Sequence, residues 1–206
     1  MSIEHWLGFV AASAVLLAIP GPTVLLVISY ALGHGRRSAH ATVAGVALGD
    51  FTSMTASMLG LGALLAASAA LFTALKWIGA AYLVYLGIKL WRAPAMVGEA
   101  AADGETRPWR ILLHAYAVTA LNPKSIVFFV AFLPQFLDLG RPVLPQMAIF
   151  EATFLPLAAL NALLYALMAS AARRTIRMPA VQRAVNRAGG SILIGAGLFT
   201  ALYRRA

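Results

Sequence analysis

Two apolar stretches of the chain are each interrupted by proline, and the residues around the interruptions could bind an anion. The first interruption reads Pro20-Gly21-Pro22 and the second reads Asn122-Pro123-Lys124. Proline has no amide hydrogen and clashes with the carbonyl four residues before it, so each interruption should free backbone carbonyls. The carbonyls concerned are those of Leu16, Ala18 and Thr119.

The amides that follow each proline should begin a new half-helix, and the positive end of a helix dipole attracts negative charge. These amides belong to Thr23, Val24, Ser125 and Ile126. The two interruptions therefore predict a site for an anion such as a carboxylate. The alternative is that the prolines kink their helices and only shape the packing.

Ionisable and amide side chains lie within the same apolar stretches. Asp50 and Lys124 lie about 14 to 20 Å from the ends of their stretches, at a rise of about 1.5 Å per residue. A charge at this depth indicates a transport or coupling site, and the alternative is an Asp50–Lys124 ion pair that only holds helices together. Glu151 is either a second acidic station or a solvated acid at a helix start. Asn161 either contacts substrate or bonds across helices.

The composition excludes a water-soluble globular protein. Of the 206 residues, 61% are hydrophobic and 11% are charged, and the mean hydropathy is +0.82, whereas soluble domains are about half apolar and about a quarter charged. The net charge of +9 rests on only 16 Lys/Arg, so we expect no nucleic-acid partner. With no cysteine and four scattered histidines, we expect no metal site and no cofactor. No Walker, G-x-S-x-G or H-E-x-x-H motif occurs, so we expect no enzyme.

Six stretches are long and apolar enough to cross a bilayer, which takes about 20 residues. They are Trp6–Leu32, Ala41–Leu65, Leu71–Trp91, Ile111–Leu133, Gln146–Ser170 and Ala188–Tyr203. The predicted fold is an all-α integral membrane protein of six transmembrane helices, with the first and fourth broken at proline. Eleven Lys/Arg fall in loops on one side and four on the other, so both termini are predicted to be periplasmic.

Two halves of three helices must have opposite orientations, which predicts an inverted repeat. Pro22 and Asp50 are separated by 28 residues, as are Pro123 and Glu151. A glycine pattern also recurs, at Gly79–Gly87 and Gly189–Gly197. The predicted organisation is one transmembrane transporter domain, with repeat one at 1–92, a cytoplasmic linker at 93–110 and repeat two at 111–206.

Four motifs occur together along the chain. They are Pro20-Gly21-Pro22, Gly45-x-x-x-Gly49-Asp50, the segment Lys76–Gly87, and Leu121-Asn122-Pro123-Lys124 with the segment Phe128–Phe136. Together they resemble the LysE/RhtB family of amino-acid exporters, which includes lysine and homoserine/threonine exporters. The resemblance implies a bacterial inner-membrane exporter driven by the proton motive force, whose partners are an amino acid, the proton and membrane lipid. It also implies that the proline breaks, Asp50, Asn122 and Lys124 form the transport site.

The sequence thus predicts a proton-coupled secondary exporter of small amino acids of the homoserine, threonine or neutral type. One alternative is an exporter of cations or other metabolites on the same scaffold, in which Asp50 and Glu151 bind metal. Another is a membrane subunit that transports nothing. The number of assembled chains is left open, so a homo-oligomer is among the alternatives, and Glu151 and Asn161 rest on the symmetry argument alone.

Overall fold

The computed structural model describes residues 2–67, 69–93, 107–138, 140–171 and 178–202 of the chain. This part is helical and contains no strand. Its helices are α1 Ile3–Ala18, α2 Pro22–His34, α3 Ala39–Ala67, α4 Ala69–Trp91, α5 Pro108–Ala120, α6 Pro123–Val127, α7 Val143–Ala171 and α8 Pro179–Leu202. Residues 94–106 of the predicted linker, and five of the arginines in the topology count, lie outside the described residues.

Both predicted helix breaks are confirmed. The chain bends by 51° between α1 and α2, where Gly21 caps α2 and Pro22 occupies its first turn. Between α5 and α6 only two residues leave the helix, and the second of them, Asn122, caps α6 ahead of Pro123. Proline favours the first helical turn because that position needs no amide hydrogen and already has the φ that proline imposes. Each proline motif therefore ends one helix and begins the next.

A single-turn irregularity follows the second break. α6 passes directly into a π-helical turn at Phe128–Phe132, and a 3₁₀ turn at Leu133–Phe136 completes the segment. Such π turns are rare and are frequently found at functional sites.

Within the described residues, two stretches are long and apolar enough to cross a membrane, namely Pro108–Phe136 and Val143–Ala169. The bent pair α1 and α2 makes a third when it is counted as one span, and Trp77–Trp91 is a shorter apolar stretch. The helix that contains the predicted sixth span, Ala188–Tyr203, is longer than that span at its start, because α8 starts at Pro179. Its first turns carry arginine and glutamine, which an apolar window leaves out although they continue the helix.

The helices pack in a layered bundle around an aromatic core. α4 runs along α8, α3 packs against α5 and α7, and α7 also contacts α1 and α2. Phenylalanines of α1, the π turn and α7 meet in the core, with ring centroids 4.4 Å apart for Phe9 and Phe150 and 5.0 Å apart for Phe129 and Phe154. The outside is apolar as well, with Leu121 74% exposed, which is typical of a surface in contact with lipid.

Glycines let two helix pairs approach closely. A Cβ on Gly87 would lie 2.7 Å from both the Gly190 carbonyl oxygen and Ile194 Cγ1. A Cβ on Gly197 would lie 2.7 Å from both the Ala80 carbonyl oxygen and Val84 Cγ2. On α3, Gly45 and Gly49 face α5 in the same way. Small residues at these positions permit the backbone contact that stabilises helix pairs in membranes.

Gly49→Val should therefore destabilise the protein. The added Cβ would meet Thr119 Cβ at 2.7 Å and the Tyr116 carbonyl oxygen at 2.8 Å, and overpacking of this kind costs about 1–3 kcal/mol. Thermal unfolding of the detergent-purified protein measures the effect. Gly60→Val is the matched control, because nothing lies within 4 Å of a Cβ on Gly60 of the same helix. An equal loss of stability in both variants would contradict the close contact.

Candidate functional site

A small cavity lies where the two broken helices meet. It is about 20 Å³ in volume, which is enough for a water molecule and too small for an amino acid. The residues that line it come from the end of α1 and from α2, α3, α6 and α7: Leu16, Leu17, Thr23, Val24, Val27, Val46, Asp50, Asn122, Lys124, Ser125, Ala158, Asn161 and Ala162. Four of the predicted site residues, Asp50, Asn122, Lys124 and Asn161, thus share one cavity, and Pro20, Gly21, Pro22 and Pro123 form the breaks beside it.

The Lys124 ammonium binds two backbone carbonyls at the first break. Nζ donates to the Leu16 carbonyl oxygen at 2.9 Å and to the Ile19 carbonyl oxygen at 2.7 Å, and the residue is only 7% exposed. Gly21 leaves space for it, since a Cβ at that position would lie 3.3 Å from Lys124 Nζ. A lysine of the second half therefore satisfies the broken end of a helix in the first half.

The other two carbonyls at the end of α1 are satisfied by α7. Asn161 Nδ2 donates to the Leu17 carbonyl oxygen at 3.1 Å, and the Tyr165 hydroxyl donates to the Ala18 carbonyl oxygen at 2.7 Å. Together with Lys124, these side chains pair every carbonyl from Leu16 to Ile19. The predicted release of the Ala18 carbonyl is confirmed, whereas the Leu16 carbonyl also accepts from the Ile19 amide at 3.3 Å. Asn161 bonds across helices while it also lines the cavity.

The second break is arranged differently from the prediction. The Thr119 carbonyl is not free, because it accepts from the Asn122 amide at 3.0 Å, and the Ile126 amide is not free either, because it donates to the Asn122 carbonyl oxygen at 3.0 Å. Both hydrogen bonds form at the two-residue turn between α5 and α6. The Asn122 side chain accepts from the Lys124 amide at 3.1 Å and donates to Thr23 Oγ1 at 3.1 Å.

Three amides of the new half-helices have no acceptor among the described residues. They belong to Thr23, Val24 and Ser125, and all three residues line the cavity. The positive ends of α2 and α6 therefore meet the same small space, and unpaired backbone donors at such ends attract anions.

Asp50 lies in the cavity wall without a direct partner. It is 3% exposed, and no hydrogen bond or direct ion pair joins its carboxylate to another described residue. The Lys124 ammonium, its nearest opposite charge in the cavity, points to carbonyl oxygens instead. The alternative of a purely structural Asp50–Lys124 ion pair is thus not formed in this conformation.

Glu151 lies away from this cavity. It is half-buried and accepts from the Thr55 hydroxyl at 2.5 Å, and the first cavity residue that follows it on α7 is Ala158, about 10 Å along the helix. The structure therefore does not bring Glu151 together with Asp50, and the role of Glu151 as the symmetry-related partner of Asp50 stays a prediction.

Among the residues that are described, no group of three or more His, Asp or Glu is placed to hold a metal ion.

Sequence reasoning predicted the free amides of Thr23 and Ser125 but missed two side chains of this site. The Thr23 hydroxyl joins the two breaks, and the Tyr165 hydroxyl pairs the Ala18 carbonyl. A signal for Tyr165 was present, because it lies four residues after Asn161 and so on the same helix face.

A second cavity lies beside the first and is apolar. It measures about 230 Å³ and shares Leu16 with the polar cavity. Its lining comes from α1, α4, the π turn and α8: Ala11, Ala12, Val15, Leu16, Ile19, Leu83, Phe128, Phe132, Ile192 and Leu193. It is the larger of the two spaces and adjoins the carbonyls that bind Lys124.

The sequence of the chain matches a known protein family over most of its length. The family model described as LysE type translocator matches residues 14–204. The chain is 34% identical to the homoserine/homoserine lactone efflux protein of Salmonella typhi, over all of both chains. It is 35% identical to an uncharacterized membrane protein of Vibrio cholerae, over 98% of both chains, and 33% identical to the leucine efflux protein of Enterobacter sp. over 67% of this chain and 65% of that protein. No solved structure matches the chain.

Proposed function

Because the chain belongs to the LysE type translocator family, we propose that it is a secondary active exporter of small neutral amino acids of the homoserine and threonine type. One observation carries the proposal, namely that a lysine, an aspartate and the free amides of two half-helices converge on a single buried cavity. A zwitterion needs both a positive and a negative partner, and this cavity supplies both. Relatives are named as homoserine/homoserine lactone and leucine efflux proteins. These names support export as the direction of transport and amino acids as the substrate class.

The carboxylate end of the proposed site consists of Lys124 with the amides that follow Pro22 and Pro123. Positive helix ends that point at the substrate carboxylate are a recurring arrangement in transporters built from broken helices. Asn122 fixes the geometry by linking α6 to Thr23 of α2. The negative partner is Asp50, which takes the substrate ammonium, the coupling proton, or each in turn.

The proposed architecture has six spans arranged as two inverted repeats, at 1–92 and 111–206. The contact between α4 and α8 supports it, because Gly87 approaches Ile194 as Gly197 approaches Val84. Each of these α4 residues corresponds to the α8 residue 110 positions later. Such reciprocal pairs are expected where a pseudo-twofold axis passes between the two helices. Glu151 is then the residue of the second repeat that corresponds to Asp50 and acts as a second acidic coupling residue.

The proposed location is the bacterial inner membrane with both termini in the periplasm. A reporter enzyme that is active only in the periplasm should be active when it is fused after Arg205, because eleven Lys/Arg lie on the opposite side. A matched fusion in the linker, after Gly104, should be inactive. Strong cytoplasmic activity of the C-terminal fusion would indicate five or seven crossings and would contradict the inverted repeat.

Counterflow in proteoliposomes tests the function. The purified protein is reconstituted, the vesicles are loaded with one unlabelled amino acid, and uptake of labelled homoserine, threonine or leucine is followed. We expect accumulation of at least one small neutral amino acid above the level of protein-free vesicles. An absence of counterflow for the whole panel, with the protein folded and inserted, would contradict the proposal.

A leucine-type substrate is the second candidate. The apolar cavity of about 230 Å³ beside the site could accept an aliphatic side chain, and burial of apolar surface would favour leucine over homoserine there. Within the same panel, stronger counterflow of leucine than of homoserine would support this candidate.

A further inference from the structure

We infer that the carbonyl oxygens of Leu16 and Ile19 form a binding site for a primary ammonium group, which Lys124 fills here and which the substrate's amino group occupies during transport. The inference rests on the proposed function for the identity of the substrate and on geometry for the site itself. It adds to the cavity a second site that binds a cation, separate from Asp50.

The chemistry of this site matches an ammonium group. Two backbone carbonyls accept from Lys124 Nζ at 2.9 and 2.7 Å, and an ammonium has three donors and no acceptor. The carbonyls belong to the last residues of α1 and the residue that follows it, where the helix dipole is negative. Gly21 leaves room beside the nitrogen, since a Cβ there would lie 3.3 Å from it.

The Lys124 side chain that occupies the site is flexible and has an alternative partner in the same cavity. Lysine carries its ammonium on a flexible four-carbon stem, and Asp50 lies in the same cavity wall without a direct partner among the described residues. By contrast, Asn161 and Tyr165 hold the Leu17 and Ala18 carbonyls from α7. Lys124 is therefore the donor at this helix end that a small ligand can replace without unpairing α7.

Displacement of Lys124 gives a balanced exchange of charges. The substrate ammonium takes the two carbonyl oxygens, and the released Lys124 ammonium meets the substrate carboxylate beside the free amides of Thr23 and Ser125. Asp50 is then left to carry the coupling proton. A resident ammonium keeps the Ile19 carbonyl paired whenever substrate is absent, which matters because an unpaired carbonyl is costly inside a membrane. The Leu16 carbonyl accepts from the Ile19 amide as well, at 3.3 Å.

Chemical rescue tests the ammonium site without any transport assay. Lys124→Ala removes three carbons and the nitrogen and so leaves space for ethylammonium. Thermal unfolding of the detergent-purified variant should shift upward by about 3 °C or more in saturating ethylammonium chloride relative to sodium chloride. Tetramethylammonium, which has no N–H, should give no shift.

Three proteins serve as controls for the rescue. The unaltered protein should not respond because Lys124 fills the site, and Lys124→Met should not respond because the methionine side chain occupies the space. Lys89→Ala, which removes an exposed lysine of α4, should not respond either. An equal shift in Lys89→Ala and Lys124→Ala, or no shift in Lys124→Ala, would overturn the inference.

Folding of the variant is itself a readout. Recovery of folded Lys124→Ala protein only in the presence of ethylammonium supports the site, and failure to fold even in saturating amine overturns it. The outcome is independent of counterflow, because amine binding can succeed where no amino acid is exported. Conversely, export of amino acids by the unaltered protein with no rescue of the variant would reject the ammonium site alone.

Discussion

Replacement of Lys124 by methionine should abolish export while the protein remains in the membrane. Methionine keeps most of the length of lysine but cannot donate to the Leu16 and Ile19 carbonyl oxygens or bind a carboxylate. The substrate carboxylate would lose a charged partner worth about 3 kcal/mol, which weakens substrate binding about 100-fold. The defect should therefore be one of activity, with the membrane-inserted amount of protein little changed.

Export from cells loaded with the amino acid measures this effect, with quantification of the protein in the membrane fraction. Lys89→Met is the matched control, since Lys89 is exposed near the end of α4 and should export normally. A second test uses amino-amide analogues, which lack the carboxylate. Transport of these analogues as fast as of the parent amino acids would show that Lys124 and the free amides do not bind a carboxylate.

Asp50→Asn should remove proton-driven export and leave substrate exchange measurable in proteoliposomes. Asparagine has the shape of aspartate but cannot take up and release a proton. Asp50 is 3% exposed and has no direct partner among the described residues, so the substitution leaves no ion-pair partner stranded. The expected loss is complete for accumulation against a gradient and small for exchange if Asp50 is chiefly the coupling group.

Export with and without an imposed proton gradient distinguishes the roles of Asp50. Glu4→Gln is the control, because Glu4 is an exposed acid at the start of α1. Glu151→Gln should weaken coupling only if the inverted repeat is functional, since Glu151 bonds to Thr55 outside the cavity. Full export by Asp50→Asn, at normal expression and with normal dependence on the gradient, would reduce Asp50 to a structural residue.

The sequence determined the positions of the helix breaks and placed two charged residues within apolar stretches. Proline lacks an amide hydrogen wherever it occurs, so the breaks at Pro20 to Pro22 and at Pro123 depend on local covalent chemistry alone. The depth of Asp50 and Lys124 follows from counting residues at a fixed rise per residue. Overall apolarity likewise identified a membrane protein before any contact was known.

Only the tertiary structure decided which groups satisfy one another. The pairing of Lys124 with the carbonyls of Leu16 and Ile19, of Tyr165 with Ala18, and of Glu151 with Thr55 depends on how helices rotate and slide against their neighbours. In these helices apolar residues surround the whole circumference, so periodicity does not identify the inward face. The sequence could therefore place a charge within an apolar stretch, but the partner of that charge was fixed by contacts between residues about 100 positions apart.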